Sequence, residues 1–89
     1  MRIVGGTITP AQGFPFWDAA AERKRRAVNA WIRESHAFDA VIDFAALIAY
    51  PGRPELVDPK YDSGDHLHPN DAGYQAMADA INLGLFTSK

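Results

Sequence analysis

The residues best suited to chemistry lie in one short segment, residues 62–71, which reads Asp-Ser-Gly-Asp-His-Leu-His-Pro-Asn-Asp. Asp65 and His68 are three residues apart, and a tight turn at this spacing can bring the carboxylate to one imidazole nitrogen. The other nitrogen is then free to act as a general base, which makes two thirds of a hydrolytic Ser-His-Asp triad. The spacing alone fits equally well an acid and a histidine that only brace the start of a helix.

Other roles for this segment are open on residue types alone. Ser63 is a candidate nucleophile, although a hydrogen-bonding role in the loop is the simpler interpretation because no oxyanion donors are evident beside it. His66 and His68, with a nearby aspartate, form a His-x-His pair that can ligate a divalent metal. The third histidine, His36, is explained as a favourable charge near the end of a helix.

The elements that must position this segment alternate between strand and helix. Residues 2–9 form a β-branched run that predicts a strand, and Asp18 is the expected N-cap of a helix from Ala19 to about residue 35 or 36. Residues 38–44 predict a second strand, residues 45–49 a turn of helix, and Asn70 the cap of a last helix. This order predicts an α/β fold with parallel strands joined by a crossover.

The faces and the long connection carry further predictions. One apolar stripe of the first helix is expected to face the core, including Ala20, Ala27, Val28, Trp31 and Ile32. The basic run at residues 23–26 is expected to be solvated. The last helix is expected to share one apolar face among Tyr74, Met77, Ala78, Ile81 and Leu85. Residues 50–69 contain four prolines and two glycines, which predict a long excursion without regular structure.

Composition narrows the class of protein. The chain has 89 residues, of which 47% are apolar and 22% charged, as expected for one small domain. A net charge of −2 disfavours nucleic acid as a partner, and the lack of cysteine excludes a thiolate metal site. No apolar run is long enough for a membrane span, and the N-terminus lacks a signal-peptide pattern, so we expect a soluble chain.

A longer string within the chain resembles a known family. Residues 64–74, Gly-Asp-His-Leu-His-Pro-Asn-Asp-Ala-Gly-Tyr, resemble the C-terminal block of SGNH hydrolases, also called the GDSL family of lipases and esterases. That block has Asp-x-x-His-Pro followed by a helix with a Gly-Tyr pair. Residues 6–10, 26–33 and 39–44 look like the preceding strand, the helix and the last strand of the family. The resemblance implies a three-layer α/β/α flavodoxin-like fold with a parallel sheet, of which residues 1–89 form the C-terminal part.

The resemblance also implies an activity. His68 would be the base and Asp65 the acid of a triad that cleaves a small carboxylic ester through an acyl-enzyme, with no metal or organic cofactor. The family's Gly-Asp-Ser block and the glycine and asparagine of its oxyanion hole are not found in this sequence. We therefore expect the chain alone to be inactive. The alternative is a non-catalytic fragment or a self-associating interaction module that keeps the fold.

Two expectations concern partners. Phe14, Phe16 and Trp17 follow the carboxyl end of the first strand, where α/β sheets bind ligands, so they are candidates to wall an acyl or alcohol pocket beside His68. Packing over the following helix explains them equally well. The strand at residues 2–9 would have a bare edge, which is expected to pair with an N-terminal part of the same enzyme or with a second copy.

Overall fold

The structure is a computed structural model that describes residues 2–81. Its elements are strand β1 (Val4–Gly6), helix α1 (Ala19–Glu34), strand β2 (Ala40–Ile42), helix α2 (Phe44–Ile48), strands β3 (Ala49–Tyr50) and β4 (Arg53–Val57), a 3₁₀ turn (Pro59–Tyr61) and helix α3 (Asp71–Asp79). Helices and strands are mixed along the chain, and the strands form two small sheets. The architecture is therefore α/β. No helix within residues 2–81 is both long and apolar enough to span a membrane.

The first sheet consists of β1 and β2, which run parallel with Gly5 opposite Val41. Both strands are shorter than the runs 2–9 and 38–44 that the sequence predicts. β2 ends early because the carboxylate of Asp43 accepts a hydrogen bond from the amide of Ala46 and so starts α2. The glycine in β1 allows close packing, because a Cβ on Gly5 would lie 2.8 Å from the ring of Phe38.

Helix α1 begins and ends close to where the sequence predicts, but its buried face is only partly the predicted one: Ile32 is buried as expected, whereas two other members of the stripe are not. Asp18 caps it by accepting a hydrogen bond from the amide of Ala21 at 2.7 Å, and Ser35 is the C-cap. The expectation that Trp31 is a core residue is wrong, because it is 55% exposed and packs edge-on against Phe38. Val28, on the same expected stripe, is also exposed.

The buried face of α1 is formed by Arg25, Asn29 and Ile32. The basic run is therefore not uniformly solvated, as the sequence predicts, because Arg25 lies inside. Its polar atoms are satisfied there by Glu22 and by the carbonyl oxygens of Ile8 and Pro54. A helix can bury arginine and asparagine when backbone groups receive their hydrogen bonds, which an apolar-stripe pattern does not detect.

The expectation that residues 50–69 lack regular structure is wrong in its first half. Strands β3 and β4 form an antiparallel hairpin that turns at Pro51 and Gly52, where the glycine has a φ of 79°. A positive φ is readily adopted by glycine, so the Pro-Gly pair marks a turn and not the end of order. The hairpin packs on α2, and their buried side chains include Ala45, Ile48 and Val57.

Helix α3 begins after Asn70, as predicted, and contacts α2 and the 3₁₀ turn. Its buried position is Gly73, whereas Tyr74 is exposed, so the predicted apolar face is only partly correct. Leu85, the last member of that face, lies outside the described residues. Gly73 is the buried position of α3 because Pro69 and the backbone of Tyr61 lie too close to it for a larger side chain.

Candidate active site

Residues 62–69 form a closed loop between the 3₁₀ turn and α3. Asp62 and Pro69 pair as an antiparallel bridge, and the amide of Ser63 donates to the carbonyl of His68 at 3.1 Å. Just outside this pair, the amide of Asn70 donates to the carbonyl of Tyr61 at 2.7 Å. These backbone hydrogen bonds hold the two ends of the loop together. The backbone between them therefore has a fixed conformation, which positions the side chains of residues 63–68.

Within this loop Asp65 and His68 contact each other as the sequence predicts. Nδ1 of His68 lies 2.6 Å from one carboxylate oxygen of Asp65. The other carboxylate oxygen accepts hydrogen bonds from the amides of Leu67 and His68, both at 2.8 Å. The carboxylate is thus fixed by the turn's own backbone, and it in turn fixes the plane of the imidazole.

The electrostatics of this pair favour an ionised acid and an accessible base. The His68 ring, followed by the amides of His68 and Leu67, holds the pKa of Asp65 far below its usual range. A carboxylate only accepts hydrogen bonds, so neutral His68 carries its proton on Nδ1 and has a lone pair on Nε2. No residue between 2 and 81 hydrogen-bonds to that Nε2, and the His68 side chain is 64% exposed. A reactant can therefore reach it.

The start of α3 locks the loop in place. The side-chain oxygen of Asn70 accepts from the amide of Gly73 at 2.8 Å, while its amide nitrogen donates to the carbonyls of Lys60 at 3.0 Å and Asp62 at 3.4 Å. A Cβ on Gly73 would stand 2.8 Å from Cβ of Pro69 and 2.9 Å from the carbonyl oxygen of Tyr61. The glycine is required because the helix lies directly against the loop.

A second aspartate–histidine pair lies in the same loop, and the sequence analysis missed it as a pair. Nδ1 of His66 lies 2.7 Å from a carboxylate oxygen of Asp62, whose side chain is only 9% exposed. Burial alone would raise the pKa of Asp62, but hydrogen bonds from the amides of Gly64 and His66 lower it overall. The Asp-x-x-x-His spacing of residues 62–66 is the signal in the sequence that indicates this pair.

The structure favours the simpler interpretation of Ser63. Its hydroxyl donates to the carboxylate of Asp65 at 3.2 Å, so it supports the acid of the pair. The metal alternative finds no ligand set in the part of the chain that the structure describes, where no three histidine, aspartate or glutamate side chains cluster as ligands.

The loop that carries Phe14, Phe16 and Trp17 contacts the loop of residues 62–69 through Gly13. A Cβ on Gly13 would lie 3.1 Å from the ring of His66, so the two loops touch. Phe14 and Phe16 pack edge-on with ring centres 6.1 Å apart, and the indole N–H of Trp17 donates to Glu22 at 3.2 Å. The contacts of Trp17 agree with packing over α1. A substrate-binding role for Phe14, Phe16 and Trp17 stays a prediction.

Asp43, at the end of β2, belongs to a structural network. Its carboxylate accepts hydrogen bonds from the Thr7 hydroxyl at 2.8 Å and from Arg33 at 2.9 Å, besides capping α2. The Arg33 guanidinium is the main cause of the lowered pKa of Asp43, which burial partly opposes. All of these contacts join β1, α1 and α2, so Asp43 holds the end of the sheet.

A known protein family matches most of the chain. The sequence profile of the GDSL-like lipase/acylhydrolase family matches residues 1–76. The chain belongs to this GDSL-like family. The matched range runs from β1 into α3 and includes the whole loop of residues 62–69. No curated protein matches the chain. Membership in a GDSL-like family supports a hydrolase-like protein.

Proposed function

We propose that this GDSL-like chain supplies the histidine and the acid of a Ser-His-Asp triad in a carboxylic ester hydrolase of three-layer, flavodoxin-like fold. The observation that carries the proposal is the Asp65–His68 hydrogen bond of 2.6 Å, which leaves Nε2 accessible. A fixed carboxylate, an oriented imidazole and a free lone pair are what a general base requires.

In the proposed reaction Nε2 of His68 removes the proton of a serine hydroxyl as the serine oxygen attacks the ester carbonyl. Asp65 keeps the ring oriented and stabilises the imidazolium. The C–O bond to the alcohol then breaks, and the proton passes from Nε2 to the departing alcohol. Water, deprotonated by the same nitrogen, hydrolyses the acyl-enzyme and restores the serine. The substrate class is a small carboxylic ester.

The serine of this reaction is proposed to come from outside these 89 residues. Ser63 uses its hydroxyl on Asp65, and neither Ser35 nor Ser88 lies in a Gly-Asp-Ser block. An N-terminal part of the same enzyme is the natural source, because it would also supply further strands of the sheet. The alternative is a non-catalytic module that only self-associates, and it would pair through the same strand, β1.

Within residues 2–81, β1 pairs only with β2, so its other edge carries no strand. At Ile8, just beyond it, the backbone N–H and C=O are held by the side chain of Asn29 at 2.8 and 2.9 Å. Alternate residues of a strand direct their backbone groups to the same edge, so Val4 and Gly6 present theirs on this side. We propose that the N-terminal part of the enzyme, or a second copy, pairs there.

Sedimentation velocity at micromolar concentration tests this pairing. Val4→Pro removes one outward N–H and is expected to weaken association. A native chain that sediments only as a monomer would contradict the self-association proposal.

The test of the catalytic proposal is hydrolysis of p-nitrophenyl acetate by the enzyme that includes the serine. His68→Ala is expected to lower kcat by roughly 10⁴-fold or more, since the base is lost. The matched control is His36→Gly, which removes another exposed histidine, one that follows the end of α1. Equal kcat for native and His68→Ala enzymes would refute the triad. With the 89-residue chain alone, acetylation of Ser63 seen by mass spectrometry would place the nucleophile within this chain.

A further inference from the structure

A groove of about 440 Å³ opens beside the second aspartate–histidine pair. Its walls are mostly apolar and come from the hairpin and the 3₁₀ turn, including Tyr50, Leu56, Val57 and Pro59. Arg53, whose Nε donates to the Glu55 carboxylate at 3.1 Å, also lines the groove. His66 and Asp62 form its polar end. A concave, largely apolar space of this size with few polar groups is typical of a small-molecule site.

The hydrogen bond to Asp62 decides what His66 can offer in this groove. The Asp62 carboxylate is an acceptor only, and its lowered pKa keeps it ionised near neutral pH. Neutral His66 therefore carries its proton on Nδ1, and its Nε2 is an acceptor. A ligand that satisfies this end of the groove must bring a neutral hydrogen-bond donor, because Asp62 repels anions and Arg53, which also lines the groove, repels cations.

The backbone of His66 adds an independent observation. Its φ is 64°, in the left-handed region that favours glycine. Glycine would adopt this conformation without strain. His66 is held in it by hydrogen bonds from its amide and its ring to the Asp62 carboxylate. The Asp62 carboxylate therefore fixes the position of the imidazole at the end of the groove.

We infer that this groove binds an apolar alcohol, with the hydroxyl donating to Nε2 of His66 and the hydrocarbon part lying against Leu56, Val57 and Pro59. The ligand class follows from the groove's two ends, since the apolar walls favour contact with a hydrocarbon and Nε2 of His66 accepts a hydrogen bond from a neutral donor. The inference concerns binding by this chain alone, so it stands or falls separately from the proposed ester hydrolysis.

The test is a titration of the ¹⁵N-labelled 89-residue chain with benzyl alcohol, followed by amide and imidazole NMR shifts. Saturable shifts are expected at Leu56, Val57 and the His66 ring. Benzyl methyl ether has the same ring but no donor, and it is expected to bind about five-fold more weakly, which is the size of one neutral hydrogen bond. Benzoate is expected to bind more weakly still because it is repelled by Asp62.

Two variants complete the design. His66→Gly suits the local φ and is expected to reduce alcohol binding to the level of the ether, with the ether unchanged. His36→Gly is the matched control, because His36 also has a positive φ, of 60°, but does not line the groove. It is expected to bind like the native chain. Equal binding of alcohol and ether by the native chain, shifts confined to another surface, or no saturable shift would each overturn the inference.

Discussion

Two polar clusters in this molecule, one around Glu22 in α1 and one around Asp65 in the loop of residues 62–69, contain similar hydrogen-bonding groups. They differ in whether a reactive group stays accessible. In α1, the Glu22 carboxylate accepts hydrogen bonds from Arg25, Arg26 and Trp17, and the remaining donors of Arg25 reach backbone carbonyls. In the loop, Asp65 is equally well supplied with donors, but its partner His68 keeps Nε2 accessible. The first cluster uses all of its principal groups to hold the fold, whereas the second leaves one group for a reactant. Chemistry is therefore expected at the loop and stability at the helix.

The largest expected effect tests the helix cluster. Arg25→Met removes the buried partner of the Glu22 carboxylate, and we expect a loss of about 3–5 kcal/mol in the free energy of unfolding. Urea denaturation measures it. Arg26→Met is the matched control, because Arg26 binds the same carboxylate but its side chain is 57% exposed against 4% for Arg25. Similar midpoints for the two variants would show that burial does not distinguish them.

The next effect is a dependence of stability on pH. Hydrogen bonds from Arg25, opposed by burial and aided by Arg26 and Trp17, lower the pKa of Glu22 from 4.5 to about 2. A lowered pKa in the folded state contributes stability above pH 4.5 that is lost as the pH falls towards 2. We expect about 2–3 kcal/mol from this group. Thermal unfolding of native and Glu22→Gln chains across this range should differ in slope, and parallel curves would contradict the assignment.

A smaller effect tests how the loop is attached. Gly73→Ala places a methyl group against Pro69 and the carbonyl oxygen of Tyr61, and backbone cannot move aside easily. We expect a loss of about 1–3 kcal/mol in the free energy of unfolding. The control is Ala72→Ser on the exposed side of α3. An unchanged midpoint for Gly73→Ala would mean that α3 does not press on the loop.

The smallest effect on stability is expected where the chemistry lies. Asp65→Asn keeps the shape of the side chain and removes its charge, so the melting temperature should change far less than in Arg25→Met. The imidazole should change strongly, because an amide no longer selects the Nδ1–H tautomer of His68. Nitrogen-15 shifts of the His68 ring report the tautomer directly. An unaltered ring spectrum would remove Asp65 from its proposed role.

The sequence predicted local features well where a short-range pattern decides them. Asp18 and Asn70 cap the helices as expected, because a cap depends on a side chain and an amide three residues away. The Asp65–His68 contact was also predictable, since it is closed within one turn. The hairpin at residues 49–57 was not predicted, because prolines and glycines generally disfavour regular structure, whereas here they mark a turn and a strand edge.

The inward face of α1 shows the limit of such patterns. By sequence alone Trp31 is the better core residue and Arg25 the better surface residue, and the structure reverses both. The reversal depends on the carbonyls of Ile8 and Pro54, which lie 17 and 29 residues from Arg25 along the chain. Likewise, the residue types of residues 62–71 and their family could be recognised in the sequence, but the groove beside His66 depends on the hairpin of residues 49–57, whose order the sequence did not predict. Neighbouring residues determine caps and short turns. Which side chains are buried, and where a groove forms, depends instead on the backbone that the fold packs beside them.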